Sequence, residues 1–362
     1  MKTIFIGSTG TGSGRSLMAW FLAEQLMSHG LKAGFIKPLH EPPPGDALGK
    51  EEDPDLALMD RILGEELVDK RWHTDGAGQA YLEASQGPSE KLQNLRKRFE
   101  KADVCLIMGS QKMFSDFSLS PIPDTKLVKE FQAQMCLMDH YENVATSIYS
   151  ILSIHSLLKG TLKTVVINRA PPEEVDAIRD RLVPLLTSQG IPAVAVLPED
   201  QVLSSLSLKK IQQALSAQVL MGEELLGVIV GGYTLGGFSL VGPLKIFRQV
   251  YGKIVLLSLS EGKRPEADPS LHIHAPVTGI LLTGGRMPGV AIREAARHAG
   301  ISLLLTSMDT FTAFERIRAA AGPLTEEDRY KQRRFSELLE PQILSKVSLS
   351  TIFTQSPHHV DH

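Results

Sequence analysis

Cysteine is scarce: the 362 residues hold two, Cys105 and Cys136. Each sits inside an apolar run, so both read as buried, reduced core residues, and no second pair supplies the spacing of a zinc site. A disulfide-dense secreted scaffold is thereby excluded. An excess of one charge is also missing. Against 38 basic side chains stand 41 acidic ones, a net charge of −3, which offers nucleic acid or an anionic membrane nothing to hold. Long hydrophobic runs are absent too. Stretches such as 164–167 and 279–283 fall far short of the roughly 20 residues that a bilayer span needs. At the N-terminus, Ile4-Phe5-Ile6 passes straight into Gly7-Ser8-Thr9, without the apolar core of a signal peptide. No G-x-S-x-G or other nucleophile–base spacing is present. Together these absences predict a soluble, cytoplasmic protein with no nucleic-acid or membrane partner.

What is present is alternation. Short apolar runs at 3–6, 33–36, 104–108, 134–138, 164–167 and 193–197 predict strands buried on both faces. Longer stretches at 16–29, 54–63, 89–101, 142–158, 173–189 and 207–217 predict the helices between them. The fold class expected is α/β, a mostly parallel sheet with helices on both faces. A second, smaller α/β cycle begins near residue 220. Its strands are expected at 227–230, 253–259, 279–283 and 301–306, and its helices at 241–250, 288–299 and 310–320. The length suits two domains, and the boundaries expected are 1–219, 220–322 and a charged helical or frayed tail at 323–362. In that tail Lys331, Arg333 and Arg334 read as one solvated helix face. His272 and His274 alternate, which on a strand puts them on one face, but no third ligand is spaced to complete a metal site.

The most informative segment is Gly7-Ser8-Thr9-Gly10-Thr11-Gly12-Ser13-Gly14-Arg15-Ser16, between an apolar strand and an amphipathic helix. Glycines let successive amides turn inward, and a helix N-terminus adds partial positive charge where a phosphate would sit. The alternative is a glycine-rich turn with no ligand. The spacing from Gly7 to Gly14 is longer than the common phosphate-loop pattern, and Arg15 stands where lysine is usual. Lys37, at the end of the second strand, is in reach of this loop.

These residues bring a family with them. Residues 7–16, Gly34-Phe35-Ile36-Lys37-Pro38, Asp53-Pro54-Asp55-Leu56-Ala57-Leu58, Val166-Ile167-Asn168-Arg169-Ala170-Pro171, Gly190-Ile191 and Leu197-Pro198-Glu199-Asp200 resemble a dethiobiotin-synthetase-like P-loop domain. Gly279-Ile280-Leu281-Leu282-Thr283-Gly284-Gly285 and Asp309-Thr310-Phe311-Thr312-Ala313 resemble the DRTGG domain. The two occur together in the N-terminal regulatory region of long bacterial phosphotransacetylases. The resemblance covers residues 1 to about 321 and does not include the acetyl-transferring domain.

The resemblance implies a P-loop NTPase-like sheet followed by a DRTGG-type domain. It implies ATP or a related nucleotide on Gly10, Thr11, Gly12, Ser13, Gly14, Arg15 and Ser16, and Mg²⁺ on Ser16 and Asp55. Lys37 would be the catalytic lysine. Asn168 would read the adenine edge, although a strand-end turn residue is the equal alternative. The family's second metal carboxylate is missing, because Met108 occupies its place. A thioether is soft where Mg²⁺ needs hard oxygen, so Asp116 or Asp139 would have to move in. The Asp-Arg pair that names the second domain is replaced by a segment in which Glu261 and Arg264 could imitate it. Three functions remain open from the sequence: a nucleotide- or anion-responsive regulator acting as a dimer, an active Mg-requiring ATP-dependent synthetase, and an assembly scaffold that binds nothing.

Overall fold

The computed structural model describes residues 2–38, 53–69, 102–110, 113, 124–230, 232–237, 253–258, 277–320 and 323–343. In chain order its first elements are β1 (Lys2–Ser8), α1 (Arg15–Ser28), β2 (Ala33–Ile36), α2 (Pro54–Leu63), β3 (Val68–Asp69), β4 (Val104–Met108), α3 (Asp124–Glu130), β5 (Gln134–His140), α4 (Val144–Leu157), β6 (Leu162–Ala170), α5 (Val175–Ser188) and β7 (Ala193–Pro198). There follow α6 (Gln201–Ser204), β8 (Leu206–Ser207), α7 (Leu208–Ala214), β9 (Gln218–Met221), β10 (Ile229–Val230), β11 (Gly232–Gly237), β12 (Lys253–Ser258), β13 (Val277–Thr283), α8 (Val290–Ala299), β14 (Ser302–Leu305), α9 (Thr310–Ala319) and α10 (Arg329–Ile343). The helices expected at 89–101 and 241–250 lie outside the described residues, as do Asp116, Glu261, Arg264, His272 and His274.

The chain forms two compact units, one from residues 1–199 with 324–362 and one from 200–323. The division falls at 199/200, not at 219/220. The reason is that Leu208 and Ile211 of α7, with Leu215, pack on Leu281, Leu304, Ala313 and Ile317 in a core of the second unit.

The first unit is built on a seven-stranded sheet in the order β3-β2-β4-β1-β5-β6-β7, parallel at every pairing. Ile36, Cys105, Ile107, Leu137, Val165, Ile167 and Val194 share one core with Leu127 of α3, Ile151 of α4 and Ile178 and Leu182 of α5. Helix α1 lies on the sheet as well and buries eight residues, Trp20 and Phe21 among them. Helix α2 is started by Asp53, whose carboxylate accepts from the amides of Asp55 and Leu56, with Pro54 at the first helical position.

Helix α10 returns to this unit. Phe335 is fully buried and meets Phe21 edge to face at 6.2 Å. Gln342 acts as a piece of strand on the outer edge of β7: it accepts from the Val196 amide and donates to the Val196 carbonyl, both at 3.0 Å. That pairing blunts an open sheet edge. The expected solvated face therefore needs correction. Lys331 is 2% exposed, because its side chain falls on the face of α10 that packs inward, while Arg333 stays exposed. The remainder of the expected tail, 344–362, lies outside the described residues.

The second unit has a five-stranded sheet in the order β11-β12-β13-β14-β9, parallel except for β9, which pairs antiparallel with β14. The strand expected at 227–230 shrinks to β10, paired antiparallel with β8. Thr283 ends β13, and Gly284-Gly285 bends the chain away from it. Gly284 and Gly285 hold φ of 83° and 71°, which only glycine adopts without strain. Their amides donate to the carbonyls of Met308 and Thr306, and Thr283 and Thr310 share a hydroxyl hydrogen bond of 2.7 Å.

Candidate functional site

The loop between β1 and α1 opens at the C-terminal edge of the parallel strands, where ligands of open α/β sheets sit. Its start is fixed by Ser8, fully buried at the end of β1. The Ser8 hydroxyl donates to the Gly10 carbonyl at 2.7 Å and lies 2.8 Å from the Ser13 hydroxyl. Gly12 and Gly14 take φ of 71° and 99°. Gly14 is the N-cap of α1, no side chain among the described residues caps the helix, and its first turn carries no acid. Amides that begin a helix have no intrahelical acceptor, so this end is electrically open to an anion. Thr11 and Gly12 are exposed, whereas Ser13 is buried.

Asn168, at the end of β6, is buried and holds the loop from behind. Its Nδ2 donates to the Ser13 carbonyl at 2.9 Å, and its Oδ1 accepts from the Arg169 amide. Both ends of the amide are thus engaged within the chain, on the loop and not on an open edge. A Cβ on Gly14 would stand 2.9 Å from Asn168 Nδ2, so the glycine lets these two segments meet. Arg169 itself adopts a left-handed φ of 65°. Its guanidinium lies 3.7 Å from where a Gly12 Cβ would be, at the exposed mouth of the loop.

The second part of the site is ionic. Lys37, just after β2, is 5% exposed. Its ammonium donates to Asp55 at 2.6 Å and pairs with Asp53 at 2.8 Å. Asp55 accepts from the Ser16 hydroxyl at 2.5 Å through its other oxygen. Burial alone would push the Lys37 pKa down, but the charges of Asp55 and Asp53 outweigh it and the net shift is upward. Burial alone would push Asp55 up, but Lys37, the Ser16 hydrogen bond and the Arg15 charge outweigh it and hold it below 3.8. Lys37 is linked to the loop through the chain Lys37–Asp55–Ser16. Arg15 runs to the carbonyl of Gly109, just past β4, and donates a hydrogen bond to it.

The oxygen set does not fit the Mg²⁺ site that the resemblance implies. Ser16 and Asp55 are adjacent hard donors, but Met108 is fully buried where the second carboxylate belongs. Asp139 does not take its place: its two oxygens accept from Thr9 at 2.7 Å and Ser147 at 2.6 Å, tying the loop to α4. Burial dominates its surroundings and its pKa lies above the usual value, despite those two hydrogen bonds. Asp124 comes to the end of β4 unannounced by the sequence, yet its carboxylate holds the amide and hydroxyl of Ser110. Asp124 is the residue that sequence reasoning passed over, with no signal in the sequence to mark it; Ser8 and Arg169 were read there only as members of their motifs, without these contacts.

No helix among the described residues is long and apolar enough to cross a membrane. Comparison with known proteins adds the following. Residues 210–320 match the DRTGG domain. The chain is 22% identical to the phosphate acetyltransferase of Synechocystis over 94% of its own length, and 23% identical to that of Pseudomonas putida over 91%. It spans about half the length of these relatives, 50% and 49%. Among solved structures, it is similar to the CBS and DRTGG domains of a Clostridium perfringens pyrophosphatase complexed with diadenosine tetraphosphate. Identity there is 19%, with 43% of this chain and 74% of that one covered, at a TM-score of 0.24. A nucleotide-binding protein from Archaeoglobus fulgidus in complex with ADP is 16% identical, with 55% and 82% covered and a TM-score of 0.35. MinD of Aquifex aeolicus is 15% identical, with 56% and 84% covered and a TM-score of 0.31. The chain is therefore an α/β protein on a parallel sheet whose residues 210–320 match the DRTGG domain, and it is similar in sequence to about half of a phosphate acetyltransferase.

Proposed function

We propose that this protein is a nucleotide- or anion-responsive regulator, in which the loop at residues 10–16 binds the phosphates of a nucleotide or another anionic metabolite. The DRTGG domain then reports the bound state through self-association as a dimer. The observation that carries the reading is the start of α1: a glycine cap in the left-handed region, no capping side chain, no acid in the first turn, and a loop braced by Ser8 and Asn168. Binding of this kind uses backbone amides, whatever the side chains. Turnover needs charged groups that follow the transition state, and here Lys37 is locked between Asp53 and Asp55. The relation to phosphate acetyltransferases supports a regulatory setting.

Calorimetry and thermal melting with ATP, ADP and GTP test the proposal. A ligand at 100 times its dissociation constant adds about 2.7 kcal/mol of stability, which a melting curve resolves. Sedimentation with and without ligand tests the coupling to association. Heat and thermal shift absent for every nucleotide would leave the scaffold function standing. Magnesium-dependent release of ADP would establish the synthetase instead.

A further inference from the structure

The family resemblance asks for a divalent cation held by a loop hydroxyl and two carboxylates, and this chain holds a different cation in that neighbourhood. Asp55 is engaged on both oxygens, by Ser16 and Lys37. The end of β4 offers the buried Met108 thioether, and Asp124 there is turned onto Ser110. Among the described residues, no three His, Cys, Asp or Glu side chains form a group that could hold a metal. What does reach the end of β4 is Arg15, whose guanidinium is bonded to the Gly109 carbonyl. Arg15 is also the first residue of α1, directly beside the loop amides.

We propose that the Arg15 guanidinium replaces the divalent cation, so that the loop takes a nucleoside polyphosphate free of metal. This rests on the phosphate-binding proposal above and specifies the form of the ligand. The chemistry favours it on three counts. Guanidinium stays charged at every physiological pH, and its planar fork pairs with two phosphate oxygens at once. Its bond to Gly109 fixes the charge on the sheet edge, where a hydrated ion would need an octahedral set of hard ligands. A dication brought beside that fixed charge is repelled by it, so the metal-bound nucleotide is the poorer ligand.

The test is titration calorimetry of the full chain with ATP and with ADP, in EDTA and again in excess magnesium chloride. Binding in EDTA at least as tight as in magnesium is the expected result. Arg15→Ala, with folding checked by its melting curve, should weaken binding in EDTA by about tenfold or more. Arg15→Lys keeps the charge, loses the fork, and should fall between the two. Binding that requires magnesium, or Arg15→Ala binding as tightly as the native chain in EDTA, overturns this inference and leaves the phosphate-binding proposal intact. Absence of heat with both nucleotides in both media overturns the two together.

Discussion

The ion cluster of Lys37, Asp53 and Asp55 sets the behaviour of single residues at this site. Lys37 gains partners on folding, so its pKa rises. Its contribution is fully present below 10.5 and is lost as pH climbs through the raised value. Asp55 is the reverse: its contribution is present above 3.8 and is lost as pH falls through the lowered value. Across neutral pH both terms are intact. Lys37→Ala strands two buried carboxylates and should cost about 3–5 kcal/mol, read from the urea midpoint. Activity lost in that variant therefore says nothing of catalysis until its fold is checked. Asp139 makes the opposite prediction. Its pKa is raised, so the stability it contributes is full below 3.8 and falls as pH rises through the folded value. Asp139→Asn removes the ionisation and keeps one acceptor oxygen, its amide nitrogen donating to the other hydroxyl of the Thr9 and Ser147 pair. Its stability relative to the native chain should rise between pH 4 and pH 7. A gap that stays constant over that range rules out a raised Asp139. The sequence brought Lys37, Ser16 and Asp55 to one neighbourhood but not into these contacts, since Lys37 and Asp55 meet across the stretch 39–52 and Asp139 meets Thr9 from a neighbouring strand. Spacing along the chain does not encode such meetings.

At the scale of elements the sequence speaks more clearly. Residues 33–36, 54–63 and 104–108 are strand, helix and strand as the apolar patterns predict, because each is bounded by a turn, a cap or a charge. β9 escaped because its apolar run, Val219-Leu220-Met221, is only three residues long and follows directly on the helix expected to 217, too short to register as a strand. α3 escaped because its seven residues are too few for a helical period to register. The glycine loop was legible in kind but not in detail. Its composition announces a left-handed turn, while the support from Ser8 and Asn168 is tertiary. Gly14→Ala separates these levels. A side chain at φ 99° costs about 1–3 kcal/mol, and its Cβ would meet Asn168 at 2.9 Å and Met138 at 3.3 Å. Nucleotide binding should drop by more than that stability loss explains, because the amides following Gly14 are displaced. Calorimetry at a temperature where the variant remains folded measures it; unchanged affinity would show that the α1 N-terminus is not the binding surface.

At the scale of the molecule, the chain leaves the first unit after Glu199 and comes back to it at Leu324. Composition misled here: the segment after residue 323 is rich in charge, yet its helix presents Phe335, Leu339 and Ile343 to the first unit, all buried. Lys331 is buried on the same face, so a charge in the sequence does not mark a solvated position here. The second unit is therefore an insertion in the sequence of the first, and α10 belongs to the energetics of the glycine loop's own sheet. Phe335→Ala should cost about 3–5 kcal/mol, the range for emptying a fully buried aromatic site. A chain ending at Pro323 should lose more, because it also uncovers Phe21 and strips Gln342 from the edge of β7. Hydrogen exchange locates the loss. Amides of β1, β6 and β7 should exchange faster in the shortened chain, while those of β13 and β14 keep their protection, since their cores are made within residues 200–323. Equal loss in both sets would mean that the two units do not hold their stability separately, and that α10 supports the whole chain and not one sheet.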